Sequence, residues 1–238
     1  MEPQPPPPQP QPQPPQPPPQ VLLLVRHGQS AHNISTVAQY GDQGDDPTLY
    51  DACLSELGEN QAAALEGHAE LAATELIVAS PHTRALQTLQ GAFPAAGTQR
   101  CPPVEVWPLV CEHMTDSCDI GTGASALARR FPTLDFSSVP EVWWYTDDET
   151  SRSDPEDSQR RYKEFGFMEP QSAVEARVAQ FADALRVRPE RTIAVFGHSD
   201  FINLFLEIVC AQPDVWLDNG QVYRVELPSL AESAAGST

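Results

Sequence analysis

Apolar residues in this chain fall into short unbroken runs, each followed by a stretch with helical spacing. Val21 to Val25 is a continuous apolar run, as expected of a parallel strand buried on both faces. Leu76–Ala79 and Ile193–Phe196 repeat the pattern. Val104–Val110 alternates poorly and contains Pro108, which weakens it as a strand. Gln221–Leu227 alternates like an edge strand. Between these runs, Ser55 opens a helix predicted to reach about Ala73, rich in Ala, Leu and Glu. Thr83–Phe93 follows Pro81 as a second helix, and Asp200–Val209 follows the Ile193 strand as another. Ser172–Arg186 is the clearest helix. Ser172 and Glu175 have capping-box spacing, and Val174, Val178, Phe181 and Leu185 share one face. Strands alternating with helices predict an α/β fold, a three-layer sandwich with a mostly parallel sheet and helices on both faces.

The rhythm breaks from Asp116 to Pro170, which holds Pro140, Trp143, Trp144, Tyr145 and an acidic run through Asp157. The stretch is predicted to be an insertion folded over the active-site end of the sheet. Its aromatics either line the mouth of a site there or anchor the insertion to the core. Arg129, Arg130, Arg160 and Arg161 either extend positive charge toward that mouth or balance the local acids. Residues 1–20 are almost entirely Pro and Gln and read as a solvated polyproline-II tail. Such a tail is either a ligand for SH3-like or WW-like grooves or a neutral disordered leader. Residues 229–238 are small and polar and read as frayed, which leaves a single domain over 21–228.

Composition narrows the partners. The chain has 238 residues, 40% of them hydrophobic, enough for one sizeable core. Its formal net charge of -19 repels nucleic acid and anionic membrane, so an anion site must be locally basic. Cys53, Cys101, Cys111, Cys118 and Cys210 form no CxxC and no zinc spacing, and read as reduced thiols of a cytoplasmic protein. The N-terminus lacks the charge and apolar pattern of a signal peptide. The apolar stretch from Ile193 to Cys210 is interrupted by His198, Asp200, Asn203 and Glu207, which argues against a membrane span.

Ligands of open parallel sheets bind beyond the carboxyl ends of the strands. The predicted strands end in Arg26-His27-Gly28, in "SPHTR" with Arg84, in Cys111-Glu112-His113 and in "GHSD" with His198. Two arginines and two histidines on one rim suit a tetrahedral oxyanion. Guanidinium forks pair with phosphate oxygens, and the helix N-termini that follow add amide donors. The rim is therefore expected to be a positive island on a negative surface.

The segments "LLLVRHGQSAHN", "DACLSELGENQA", "SPHTRALQT", "CEH" and "FGHSDF" together resemble the histidine phosphatase superfamily, the phosphoglycerate-mutase-like fold, from about Val21 to Leu227. The stretch from "CEHMTDSCDIG" to "VPEVWW" is similar to plant and fungal phosphoglycerate-mutase-like proteins. The resemblance implies a phosphohistidine intermediate on His27, with Arg26, Arg84 and His198 holding the transferring phosphoryl group. Glu112 then matches the general acid, its carboxyl pKa raised beside a phosphate dianion, and His113 competes for that role. A nucleophilic His27 must be neutral, and a backbone carbonyl near Gly28 is expected to hold its second ring nitrogen. Gly28 allows the close approach that a Cβ would obstruct. Gly28, Asn33 and Ser199 are the further substrate-binding candidates, although Asn33 reads equally as a turn amide bonded to its own backbone. No metal or other cofactor is implied.

Phosphoglycerate mutases of this fold carry a Glu-Arg-His-Tyr-Gly segment that grips a carboxylate substrate, where this chain reads "CEHMTD". The expectation is therefore a phosphatase, of the metal-independent histidine acid phosphatase type, acting on a small phosphomonoester such as a sugar phosphate. The alternatives are a phosphoglycerate-type mutase and, from another class, a phosphate-sensing scaffold whose Pro-rich tail docks partners.

Overall fold

The apolar run after Pro19 forms strand β1 (Gln20–Arg26), an interior strand of a five-stranded sheet. The computed structural model describes residues 19–38 and 49–229. Helix α1 (Ala31–Ala38), which the residue pattern does not announce, follows β1. β1 lies beside β4 (Thr192–Gly197) in parallel, from Val21 opposite Thr192 to Arg26 opposite Gly197. Its other neighbour is β5 (Val222–Leu227), the antiparallel edge. β2 (Leu76–Ala79) joins β4 to β3 (Val104–Val106), both pairings parallel, which gives the order β3-β2-β4-β1-β5. The parallel pairings bring the carboxyl ends of β1, β2 and β4 to one rim.

Successive side chains of a strand point to opposite faces, and β1 is apolar on both. Leu22 and Leu24 pack with Val174, Val178, Phe181 and Leu185 of α6 (Gln171–Arg186) and with Phe201 and Phe205 of α7 (Ser199–Cys210). Leu23 and Val25 pack with Leu86 and Leu89 of α3 (Thr83–Ala92) on the other face. Each fully buried aliphatic or aromatic side chain contributes roughly 1.5–3 kcal/mol. The result is the α/β three-layer sandwich that the alternating runs predict.

Local boundaries differ where backbone chemistry intervenes. The helix from Ser55 stops early: α2 spans Glu56–Ala63, with the Ser55 hydroxyl accepting from the Gly58 amide. Gly67 then takes a left-handed φ of 72°, and Leu71–Ala73 is a separate 3-10 turn. β3 has three residues, because Pro108 has no amide for the ladder and instead opens a 3-10 turn through Val110. The capping box of Ser172 and Glu175 does not form. Pro170 precedes the first turn of α6 with φ −61°, and Glu175 accepts from the Gln171 side chain instead. Gln20 belongs to the sheet rather than to a tail, since its buried amide donates to the Glu190 carbonyl. Most of the Pro-rich stretch, on which the expectation of SH3-like or WW-like docking falls, lies outside the described residues, as does most of 229–238.

The stretch from Asp116 to Pro170 mostly covers a face of the sheet, and its first residues, Asp116 to Asp119, reach the rim. It contains α4 (Ala124–Arg130) and α5 (Pro155–Phe165). Ile120, Leu127, Phe131, Trp143 and Trp144 share the core with Leu23, Val25 and Ile77. Both tryptophans are buried, with indole N–H groups donating to the Thr122 carbonyl and the Ser158 hydroxyl. They anchor the core and do not line a mouth, and Tyr145 packs against Phe167. Arg160 and Arg161 pair with Asp157 and Asp147, Arg130 reaches Cys53 and Thr83, and Arg129 is exposed. The five cysteines are all unpaired. Among the described residues no helix is long and apolar enough to cross a membrane.

Candidate active site

His27 is fixed by the end of β1. Its backbone amide donates to the Gly197 carbonyl, and its carbonyl accepts from Gly220 and from the Asn219 side chain. The ring Nδ1 lies 2.7 Å from the Gly28 carbonyl. A carbonyl only accepts, so Nδ1 carries the proton and Nε2 is bare. Burial first, then the charge of Arg84, holds the imidazole pKa well below its ordinary value, so the ring is neutral. The Gly28 amide donates to Thr88 Oγ1, and a Cβ at Gly28 would sit 2.5 Å from the Gly58 carbonyl oxygen. Close backbone approach, not a special φ, requires glycine here.

Arg84 enters from the first turn of α3 and is 3% exposed. Its Nη1 donates to the Cys118 carbonyl at 2.8 Å and its Nη2 meets Asp119 Oδ1 at 3.0 Å. Asp119 in turn accepts from the Thr115 and Asp116 amides. Arg26 extends from β1, with Nη1 donating to the Leu217 carbonyl and a buried Nε that has no partner.

Glu112 reaches the rim through the 3-10 turn after β3. Its carboxylate sits on the N-terminus of α7, accepting from the amides of Phe201 at 2.9 Å and Asp200 at 3.3 Å, and from its neighbour His113. Burial, with Asp200 and Asp119 close by, pushes its pKa up to about 7 against the opposing pull of Arg84. The segment is held from behind by Arg177 of α6, which donates to the carbonyls of Leu109, Cys111 and Glu112 and pairs with Glu169. His113 turns away, its Nε2 directed at the Glu169 carbonyl.

His198 caps α7 directly after β4 and is completely buried. Its ring centroid is 5.2 Å from that of His27. Nε2 contacts Ser80 Oγ at 2.7 Å, while Nδ1 is buried without a partner.

A cavity of about 210 Å³ opens over these groups. Arg26, His27, Asn33, Arg84, Glu112 and Ser199 line it, whereas Gly28 and His198 are not part of the lining. Asn33 adopts the turn arrangement, its Oδ1 accepting from the Ser30 amide and hydroxyl, and lines the cavity as well. The expected positive island is not found: Asp116, Asp119 and Asp200 join Glu112 on the lining. Anion binding would thus rest on directed donors rather than on surplus positive charge. Among the described residues no group of three or more His, Cys, Asp or Glu is placed to hold a metal ion.

Sequence reasoning misses Asp119, Arg177, Ser80 and His82. The Asp116-to-Asp119 spacing, which forms a capping box, was a usable signal for the first. Ser80 and His82 stand inside the "SPHTR" motif, but nothing local marks them.

The model of the histidine phosphatase superfamily (branch 1) matches residues 22–229, and the chain belongs to that family. A phosphoglycerate mutase-like protein of Arabidopsis thaliana is 27% identical over 212 residues, 76% of this chain and 71% of that protein. A Schizosaccharomyces pombe protein named "Probable phosphatase" is 30% identical over 124 residues, covering 51% of this chain and 54% of its own length. The fold is shared with the alpha-ribazole phosphatase of Shigella flexneri, at a TM-score of 0.55 and 16% identity, over 88% of this chain and 91% of the other.

Proposed function

We propose that the protein is a phosphatase that hydrolyses a small phosphomonoester through phosphorylated His27, without a metal ion. The observation that carries this reading is the bare Nε2 of a neutral His27, fixed by the Gly28 carbonyl beside Arg84 and Glu112. In the first step Nε2 attacks phosphorus, the P–O bond breaks, and protonated Glu112 delivers its proton to the leaving oxygen. A pKa of about 7 leaves a useful fraction of Glu112 protonated near neutral pH. In the second step Glu112 takes a proton from water, the water oxygen attacks phosphorus, and the N–P bond breaks to release phosphate. Arg26 and Arg84 of the lining hold the phosphoryl oxygens, and His198, outside the lining but with its ring 5.2 Å from that of His27 and its Nδ1 unpartnered, joins them from behind His27. Alignment with charge neutralisation is most of what phosphoryl transfer requires.

The lining supports an uncharged leaving group. Beyond Arg26 and Arg84 no arginine or lysine of the described residues lines the cavity, while Asp116 and Asp200 do. A second anionic group on the substrate would meet carboxylates, which disfavours phosphoglycerates and favours the phosphate of a polyol or sugar. The test is a comparison of purified wild type and His27→Ala on aryl phosphate, sugar phosphates and 3-phosphoglycerate. Phosphate release from the first two, lost in the variant, is expected. Isomerisation of phosphoglycerate faster than phosphate release would overturn the reading.

A further inference from the structure

Behind the cavity, four groups form one hydrogen-bonded line. His82 Nε2 is 3.2 Å from the Asp119 carbonyl, His82 Nδ1 is 3.2 Å from Ser80 Oγ, and Ser80 Oγ is 2.7 Å from His198 Nε2. The line has one consistent set of protons. The Asp119 carbonyl only accepts, so His82 carries its proton on Nε2 and its Nδ1 is an acceptor. Ser80 must then donate its single O–H to His82 Nδ1. Both Ser80 lone pairs are used as well, one by the His82 amide at 3.3 Å and the other by His198 Nε2. His198 therefore carries its proton on Nε2, and its Nδ1, buried and unpartnered, is bare.

Burial comes first in holding both rings neutral. Around His198 it is reinforced by Arg84 from α3, His82 from the β2–α3 connection, His27 from the end of β1 and Arg177 from α6. A bare nitrogen cannot donate to an oxyanion. We infer that Ser80 and His82 are positioning residues that lock His198 in the Nε2–H form, so that a bound dianion is held only when His198 Nδ1 takes up a proton from solvent. This inference rests on His198 contacting the phosphoryl group, as the proposed function has it. Its consequence is that oxyanion affinity is coupled to pH through a group the reaction itself does not consume.

Tungstate, a dianion near neutral pH, is the probe. Nitrogen-15 NMR of the histidine-labelled protein is expected to show His198 protonated on Nε2 alone when free and on both nitrogens with tungstate bound. Ser80→Ala removes the acceptor of Nε2–H and frees the ring to present Nδ1–H while neutral. The variant is expected to bind tungstate with about one fewer proton taken up. Its affinity should accordingly fall about tenfold less per pH unit as pH rises, each unit being a factor of ten per linked proton. A proton from Glu112 is common to both proteins and cancels in that difference.

An Nδ1–H form of His198 in the free wild type overturns the relay. So does absence of tungstate binding, binding with His198 still singly protonated, or equal proton uptake by wild type and Ser80→Ala. None of these readouts requires turnover. Full proton uptake in a protein that never releases phosphate would retain the relay and remove the phosphatase reading, and active hydrolysis with the opposite tautomer would do the reverse.

Discussion

Replacing Arg177 by Met should be among the most damaging changes outside the cavity wall. The guanidinium donates to the Leu109, Cys111 and Glu112 carbonyls and meets Glu169 at 2.8 Å, with side-chain exposures of 13% and 4% for the pair. Removing one partner of a buried pair costs about 3–5 kcal/mol, because the other charge is left unpaired. Whole domains are stable by only about 5–15 kcal/mol, so the loss is roughly a fifth or more of the total. For a domain of this size it corresponds to a melting point lower by roughly 6–20 °C. Urea unfolding of wild type and Arg177→Met measures it. The double variant with Glu169→Met should recover part of the loss, since no carboxylate is then stranded. Turnover should fall as well, because the backbone of Glu112 loses its tether. A single variant within about 1 kcal/mol of wild type, or a double variant less stable than the single, would refute this account of how the Glu112 segment is held.

Glu112→Gln should cost roughly a hundredfold or more in turnover of alkyl phosphates, whose leaving oxygen needs a proton, and far less with nitrophenyl phosphate; equal losses on both would take the acid role away from Glu112. Stability should fall as pH drops below about 6.5. His27, His82 and His198 are held neutral in the folded state, so the unfolded chain binds up to three more protons there. Glu112 works in the opposite sense between pH 4.5 and about 7, where the folded state keeps a proton that the unfolded chain releases. The net slope is up to about 3 kcal/mol per pH unit at its steepest, and urea midpoints unchanged from pH 7 to pH 5 would contradict the buried neutral histidines. Gly28→Ala should lose about 1–3 kcal/mol and a larger share of activity, because its Cβ would press on the Gly58 carbonyl and shift the mount of His27; wild-type activity in that variant would show that the close approach is dispensable.

The layers of the fold were legible because they rest on local periodicity. Val21–Val25 reads as a strand buried on both faces, and Val174, Val178, Phe181 and Leu185 mark one helical face wherever the helix docks. Boundaries were less so. The Ser55 helix ends where Gly67 turns left-handed, and β3 ends where Pro108 lacks an amide. Trp143 and Trp144 were ambiguous because an indole covering the core and one lining a mouth look alike in sequence. The rim residues were visible through their motifs, since each stands at or within a few residues of a strand end. Their supports were not. Arg84 is 35 residues from Asp119, Arg177 is 66 from Cys111, and Glu112 is 89 from the amide of Phe201. Such contacts exist only once the sheet has formed.

The most direct measurement is of the covalent intermediate. The protein is mixed with phosphorus-32-labelled aryl phosphate, quenched in alkali within the first turnover, and digested for mass spectrometry. One alkali-stable, acid-labile phosphoryl group on Nε2 of His27, absent from His27→Ala, is the predicted result. Hydrolysis that proceeds with no label on the protein, or with the label on another residue, would contradict the account.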